Sequence, residues 1–167
     1  IGSYVHNQAA PGMGKIGVLV ALESTGSKEE LASFGRLLSM HVAATNPVAM
    51  TLDDVPADTL ARERAILEEK NASKPANVME KIVASGLKTY AKENTLLEQA
   101  YVHDGGKTVT QAIAEAGNKT VTQVIGDVSK TAGAPVKLLG YIRMQLGEGI
   151  EKTVDDFAAE VAKAAQG

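Results

Sequence analysis

Apolar residues along this chain alternate between two periods, and the changes of period mark its elements. Residues 16–24, Ile-Gly-Val-Leu-Val-Ala-Leu-Glu-Ser, form a β-branched run of strand length. Gly2 to His6 predicts a shorter partner strand, and the glycine-rich residues 7–15 would join the two as a hairpin. From Ser27 to Asn46 the spacing turns helical, with Leu31, Phe34, Leu38 and Val42 recurring at steps of three and four. Ser27 suits the N-cap, Glu30 follows three residues later, and Asn46-Pro47 ends the helix because the residue before proline avoids helical geometry. A charged helix is predicted from Asp53-Asp54-Val55-Pro56 to near Asn71. A further helix runs from the break at residues 71–75 to near Lys92. Met79, Val83, Gly86 and Tyr90 on the latter are spaced as in a helix-pairing seam. Two narrow seams joined by a short polar loop predict a projecting antiparallel hairpin.

Strand-like sequence returns at Leu96-Leu97 and at residues 100–103, Ala-Tyr-Val-His. A short helix is predicted over 108–116, capped by Thr108 and stopped by Gly117. Residues 136–146 form the last long apolar stretch, where Leu138, Tyr141 and Ile142 suggest a buried strand. These elements predict the α+β class. The expected architecture is two small lobes, each an antiparallel sheet plus helix, with the helical hairpin protruding and a C-terminal helix. The expected divisions are 1–52, 53–93, 94–150 and 151–167. Lys107-Thr-Val-Thr-Gln-Ala-Ile113 recurs as Lys119-Thr-Val-Thr-Gln-Val-Ile125, six identities in seven residues at a spacing of twelve. Two copies are too few for a solenoid, so the second is expected as an extra helical turn or a surface loop.

The C-terminal segment has its own character. Gly147 and Gly149 flank Glu148 and read as a hinge, since glycine frees the backbone where a turn is wanted. Thr153 with Asp156 three residues on forms a capping-box pattern, and Asp155 and Asp156 sit at the positive end of the helix dipole. The apolar stripe behind them is thin: Val154, Phe157 and Val161 among alanines. A well-capped but weakly anchored terminal helix is a candidate for holding something other than its own domain.

Composition narrows the chemistry. The core must come from aliphatic residues, because aromatics are 4% and tryptophan is absent. A net charge of −3 argues against binding nucleic acid through its phosphates. No cysteine is present, which removes disulfides, thiolate nucleophiles and cysteine metal sites. No apolar run approaches the roughly 20 residues that span a bilayer, and no signal-peptide pattern opens the chain. Gly12-Met-Gly14-Lys-Ile-Gly17 satisfies G-x-G-x-x-G, but a strand-like run follows it where dinucleotide binding needs a helix. A flexible hairpin loop accounts for it better. His6, His41 and His103 show no metal-ligand spacing, and no nucleophile elbow appears. His41 lies one turn from Leu38 on the apolar side of its helix, which suits an edge-of-core histidine with a hydrogen bond, while a pH switch or general base has no partner residue to support it. No catalytic, cofactor-binding or metal residue is assigned, and an enzyme is not expected.

Several motifs occur together and in order: Lys15-Ile-Gly-Val-Leu-Val20, Ser39-Met-His-Val-Ala-Ala44, Lys74-Pro-Ala-Asn77, Leu96-Leu-Glu-Gln99, Lys107-Thr-Val109, Gly147-Glu-Gly-Ile-Glu-Lys152 and Asp156-Phe-Ala-Ala-Glu-Val161. In this order the chain resembles bacterial elongation factor Ts over essentially its whole length. The resemblance implies a cytoplasmic guanine-nucleotide exchange factor for the GTPase elongation factor Tu, acting in translation without a cofactor, direct nucleic-acid contact or membrane. It implies partner contacts at Ile16, Gly17 and His41, and a C-terminal module that docks through Asp156, Phe157 and Val161. The family's small helical first domain and its Thr-Asp-Phe-Val segment, which disturbs the GTPase's magnesium site, are not among these residues. The expectation is therefore a core-plus-C-terminal fragment that binds well and exchanges weakly. The rival expectation is a structural module that forms a homodimer through the first lobe's sheet or the helical hairpin. A nucleotide-dependent enzyme using the Gly12–Gly17 loop stands third.

Overall fold

A computed structural model of the chain describes residues 1–102 and 119–149. The predicted first hairpin forms as β1 (Gly2–His6) and β2 (Ile16–Glu23), paired antiparallel from Gly2 opposite Val20 to His6 opposite Ile16. The next helix is α1 (Lys28–Thr45). The Ser27 side chain caps it by accepting from the Glu30 amide at 3.4 Å, and Asn46 closes it in the left-handed conformation (φ 47°) just before Pro47. A short 3₁₀ turn at Leu52–Asp54 then precedes α2 (Ala57–Lys70). The sequence placed the start of this helix at Asp53, but Asp54 Oδ2 is engaged by the Thr51 hydroxyl (2.7 Å) and amide (3.0 Å), which closes a separate turn. α3 (Ala76–Asn94) returns beside α2 as the expected hairpin. Its seam forms where it was read. Val83 is buried, and Gly86 leaves no room for a Cβ, which would stand 2.4 Å from the tip of Leu67.

The α+β class holds, but the second half differs from its reading in three respects. Residues 96–97 lie in a turn and residues 100–102 in irregular chain, fastened by isolated bridges, Ala49 with Thr95 and Ala100 with Thr120, rather than in strands. Leu96 and Tyr101 turn inward as core anchors, which gives these short runs their apolar character without a ladder. The second repeat copy is neither a loop nor an added turn. It starts a helix of its own, α4 (Val121–Thr131), with Thr120 and Gln123 as a reciprocal capping box and Val121 fully buried. The final strand, β3 (Lys137–Gln145), pairs antiparallel with β2, so the described residues share one sheet of order β1-β2-β3. β3 is buried on one side only: Leu138 and Tyr141 are half-buried and pack on the core, while Ile142 is 53% exposed. The expected helix over 108–116, His103 and the C-terminal helix beyond Gly149 lie outside the described residues.

The core sits on one face of the sheet. Val18 and Val20 of β2 meet Phe34, Leu38, Val42 and Ala43 of α1, with Leu96, Tyr101 and Val121 closing the far side. Close approach at the edge depends on a glycine pair. A Cβ on Gly2 would fall 2.3 Å from the carbonyl carbon of Gly35 on α1, which only backbone movement could relieve. Gly2→Ala is therefore expected to cost about 1–3 kcal/mol, the range for overpacking a fitted interior, measured as a lower urea midpoint. An unchanged midpoint would mean that β1 does not seat on α1 this closely.

Candidate partner-binding surface

Side chains alternate across a strand, so residues between the inward valines of β2 emerge on the other face of the sheet. The register sets them in rows: Val5, Gly17 and Met144; Ser3, Leu19 and Ile142; then Ala21 and Gly140. Leu19 is 49% exposed, Ile142 53% and Met144 66%, and no helix of the described residues covers them. A Cβ at Gly17 or at Gly140 would meet nothing within 4 Å, so the two glycines leave flat, open ground beside the large side chains. Leu19 and Met144 are not singled out by the sequence reading, and Ile142, read there as part of a buried strand, is exposed instead. The signal for them was the alternation itself, hidden because a strand apolar on both faces reads as fully buried.

Of the sequence-predicted residues, Ile16 and Gly17 adjoin at the start of β2 but face opposite ways. Ile16 packs toward the core, while Gly17 lies in the open row. The glycine motif ends here too. Gly12 (φ 74°) forms the tip of the hairpin, and the Met13 and Lys15 amides are consumed by Ala10 O and His6 O at 2.9 and 3.0 Å. No helix N-terminus follows: the motif runs directly into β2.

The two proposed hinge glycines adjoin the same edge. Gly147 (φ 83°) and Gly149 (φ 76°) both take the left-handed backbone that glycine favours. The turn they frame is nevertheless fastened. The Glu148 amide donates to Gln145 O (3.0 Å), and the Glu148 carboxylate accepts from the Gln145 amide (3.1 Å) and pairs with Arg143 at 3.8 Å. The Leu146 amide ties this turn to Lys15 O at 2.8 Å, next to Ile16. Asp156, Phe157 and Val161 lie outside the described residues.

His41 is placed elsewhere, in the core at 1% exposure. Its Nδ1 accepts from the Val102 amide (3.1 Å), so the proton resides on Nε2, which donates to Gln99 Oε1 (3.1 Å). Gln99 Nε2 in turn donates to Glu93 O (2.8 Å), and the imidazole stacks on Tyr101 at 5.5 Å between ring centroids. Burial holds the His41 pKa down at about 4, only partly countered by the Gln99 hydrogen bond. As placed, His41 cannot touch a partner with its ring. It fixes the 99–102 segment against α1 and Glu93.

This pairing has a pH consequence. An imidazole of pKa about 4 folded and 6.5 unfolded makes the unfolded state bind more protons between those values. Stability is thus full above pH 6.5 and falls as pH drops toward 4, by about 3 kcal/mol over the full span. Thermal unfolding of wild type and His41→Gln from pH 7.5 to 4 checks this. The variant should lose the slope across that window, and an identical slope in both would remove His41 as its source.

The family model described as Elongation factor TS matches residues 1–148. Among curated relatives, "Elongation factor Ts" of Xanthobacter autotrophicus is 53% identical over 165 residues, covering 99% of this chain and 50% of the relative. "Elongation factor Ts" of Methylobacterium radiotolerans is 55% identical over 166 residues, covering 99% and 50%. That of Methylocella silvestris is 51% identical over 169 residues, covering 100% and 51%. The chain spans about half the length of the curated relatives it matches.

Proposed function

Since the chain belongs to the elongation factor Ts family, we propose that it binds the GTPase elongation factor Tu and promotes release of GDP during translation in the bacterial cytoplasm. The observation that carries this reading is the family match across residues 1–148. An exchange factor needs no catalytic side chain. It must bind the nucleotide-free GTPase more tightly than the loaded one, and reciprocity then obliges nucleotide to weaken the factor's hold by the same coupling energy. The open row at Gly17, where backbone can approach backbone closely, supports contact at the start of β2. Ile16 supports that strand from beneath. His41 acts indirectly by holding residues 99–102, and the segment carrying Asp156, Phe157 and Val161 supplies a docking arm that leaves the fastened turn at Gly147 and Gly149.

No described helix is long and apolar enough to cross a membrane. A pull-down with nucleotide-free elongation factor Tu should retain the chain, and excess GDP should weaken the complex. Deleting 153–167 should lower affinity while leaving the unfolding transition of the remainder in place. No capture at tens of micromolar would sink the proposal, and global unfolding on deletion would return that segment to the fold.

The exposed apolar rows favour a second reading, a homodimer closed face to face through Leu19, Ile142 and Met144. Light scattering on wild type and Leu19→Glu/Ile142→Glu separates the two. A dimeric wild type made monomeric by the substitutions supports the dimer, and a monomeric wild type excludes it.

A further inference from the structure

The helical hairpin takes no part in the function proposed above, and its second helix carries a charge pattern that the fold does not use. At about 100° per residue, Lys81, Lys88 and Lys92 fall within about 20° of one line along α3, over a length of about 16 Å. All three are exposed, as is Ser85 between them. The seam with α2, at Val83 and Gly86, stands on the opposite side of the helix, and Tyr90 shares that side.

α2 and α3 differ in how their cations are paired. α2 answers its arginines on its own surface, Arg62 with Asp58 at 3.4 Å and Arg64 with Glu68 at 4.0 Å, each pair one turn apart. The acids of α3 are Glu80 and Glu93, and neither stands three or four residues from a lysine. Among the described residues no carboxylate pairs with Lys81, Lys88 or Lys92. Lys88 and Lys92 instead stand one turn from each other, a like-charge spacing that weakens a helix. A row of ammoniums without counter-charge, two of them mutually repelling, is complementary to a row of carboxylates.

At the base of the hairpin the row runs into a cleft of about 400 Å³. Lys88, Ala91 and Lys92 line it from α3, Leu52 and Asp53 from the 3₁₀ turn, and Glu98 from the chain beyond α3. Among the described residues neither Asp53 nor Glu98 is ion-paired. A ligand of uniform negative charge, such as a nucleic-acid backbone, would bring phosphates against these two carboxylates. The face also has no arginine, and no aromatic ring on which a base could stack, since Tyr90 lies on the seam side. A protein helix meets neither obstacle, because it can set acids and a cation at separate positions.

We propose that the Lys81–Lys88–Lys92 face of α3 docks an acidic helix of a partner protein. The partner's carboxylates follow the same seven-and-four spacing, and a basic residue one turn beyond them enters the cleft. There its aliphatic stem lies on Leu52 and Ala91 while its head meets Asp53 and Glu98. Carboxylates placed against Lys88 and Lys92 remove the repulsion between those lysines and leave the cleft net negative for the incoming cation. The surface is separate from the sheet face and stands whether or not the GTPase reading does.

A charge swap tests the proposal on the whole chain. The probe is a labelled synthetic helical peptide with glutamates at the seven-and-four spacing and an arginine one turn beyond, followed by fluorescence anisotropy at about 50 mM salt. It should bind the wild type, and Lys81→Glu/Lys88→Glu/Lys92→Glu should weaken it roughly tenfold or more. The same peptide with lysines for glutamates should show the reverse preference, which also establishes that the variant is folded. Any of three results would overturn the docking site: no binding to the wild type at about 1 mM, equal binding of a peptide with the same residues in scrambled order, or equal binding of a single-stranded RNA of matched charge.

Discussion

Everything in this structure hangs on the contact between the inward valines of β2 and one side of α1. Val18 and Val20 are almost wholly excluded from water against Phe34, Leu38 and Val42. Among the described residues β2 is the strand paired on both edges, so the same two residues that fill the core also fix the register of the sheet. A one-residue slip of β2 would carry both valines to the open face and bring Gly17 and Leu19 inward. The core contact thus determines which residues remain available outside, and the exposed rows are its mirror image.

The second organising element is polar. His41 couples α1 to the 99–102 segment and, through Gln99, to the end of α3. Each imidazole nitrogen has a single defined partner, and the Gln99 amide is oriented by bonds at both its ends. Such a network tolerates burial only when all of its members are satisfied, so its specificity exceeds that of the aliphatic packing around it. The two short apolar runs after α3 stay irregular because their backbone groups are already committed to α3, to residues 49–50 and to the start of α4.

Where one period governs one face, the sequence was readable. The α1 stripe, the β1–β2 pair and the α2–α3 seam with its Gly86 all lie where their spacing placed them. Legibility failed where apolar character had a cause other than regular structure. Leu96 and Tyr101 are anchors on a turn and on irregular chain, and Ile142 is apolar on a face that the described residues leave open. α4 was missed although its Thr120–Gln123 capping pattern is plain, because its repeat partner drew the reading toward a duplication rather than a helix start. For the candidate surface, Gly17 enters through the family resemblance, and the structure adds that a Cβ there would meet nothing within 4 Å. His41 was legible as a residue of note, but its burial depends on Gln99, some 58 positions away, a separation no local pattern reports.

The turn at Glu148 changes what its two glycines mean. Left-handed glycines usually imply freedom, but here Glu148 grips Gln145 and Arg143 while Leu146 is tied to Lys15. Whatever follows Gly149 consequently departs from a point anchored to β2. On the reading proposed above, a docking group joined to the chain at this anchor acts at an effective concentration set by the link between group and anchor, not by the whole chain. The ordering entropy of the first step is spent during folding rather than on encounter. The length of that link then becomes the adjustable quantity, and the anchor at Gln145 the fixed origin from which it is counted.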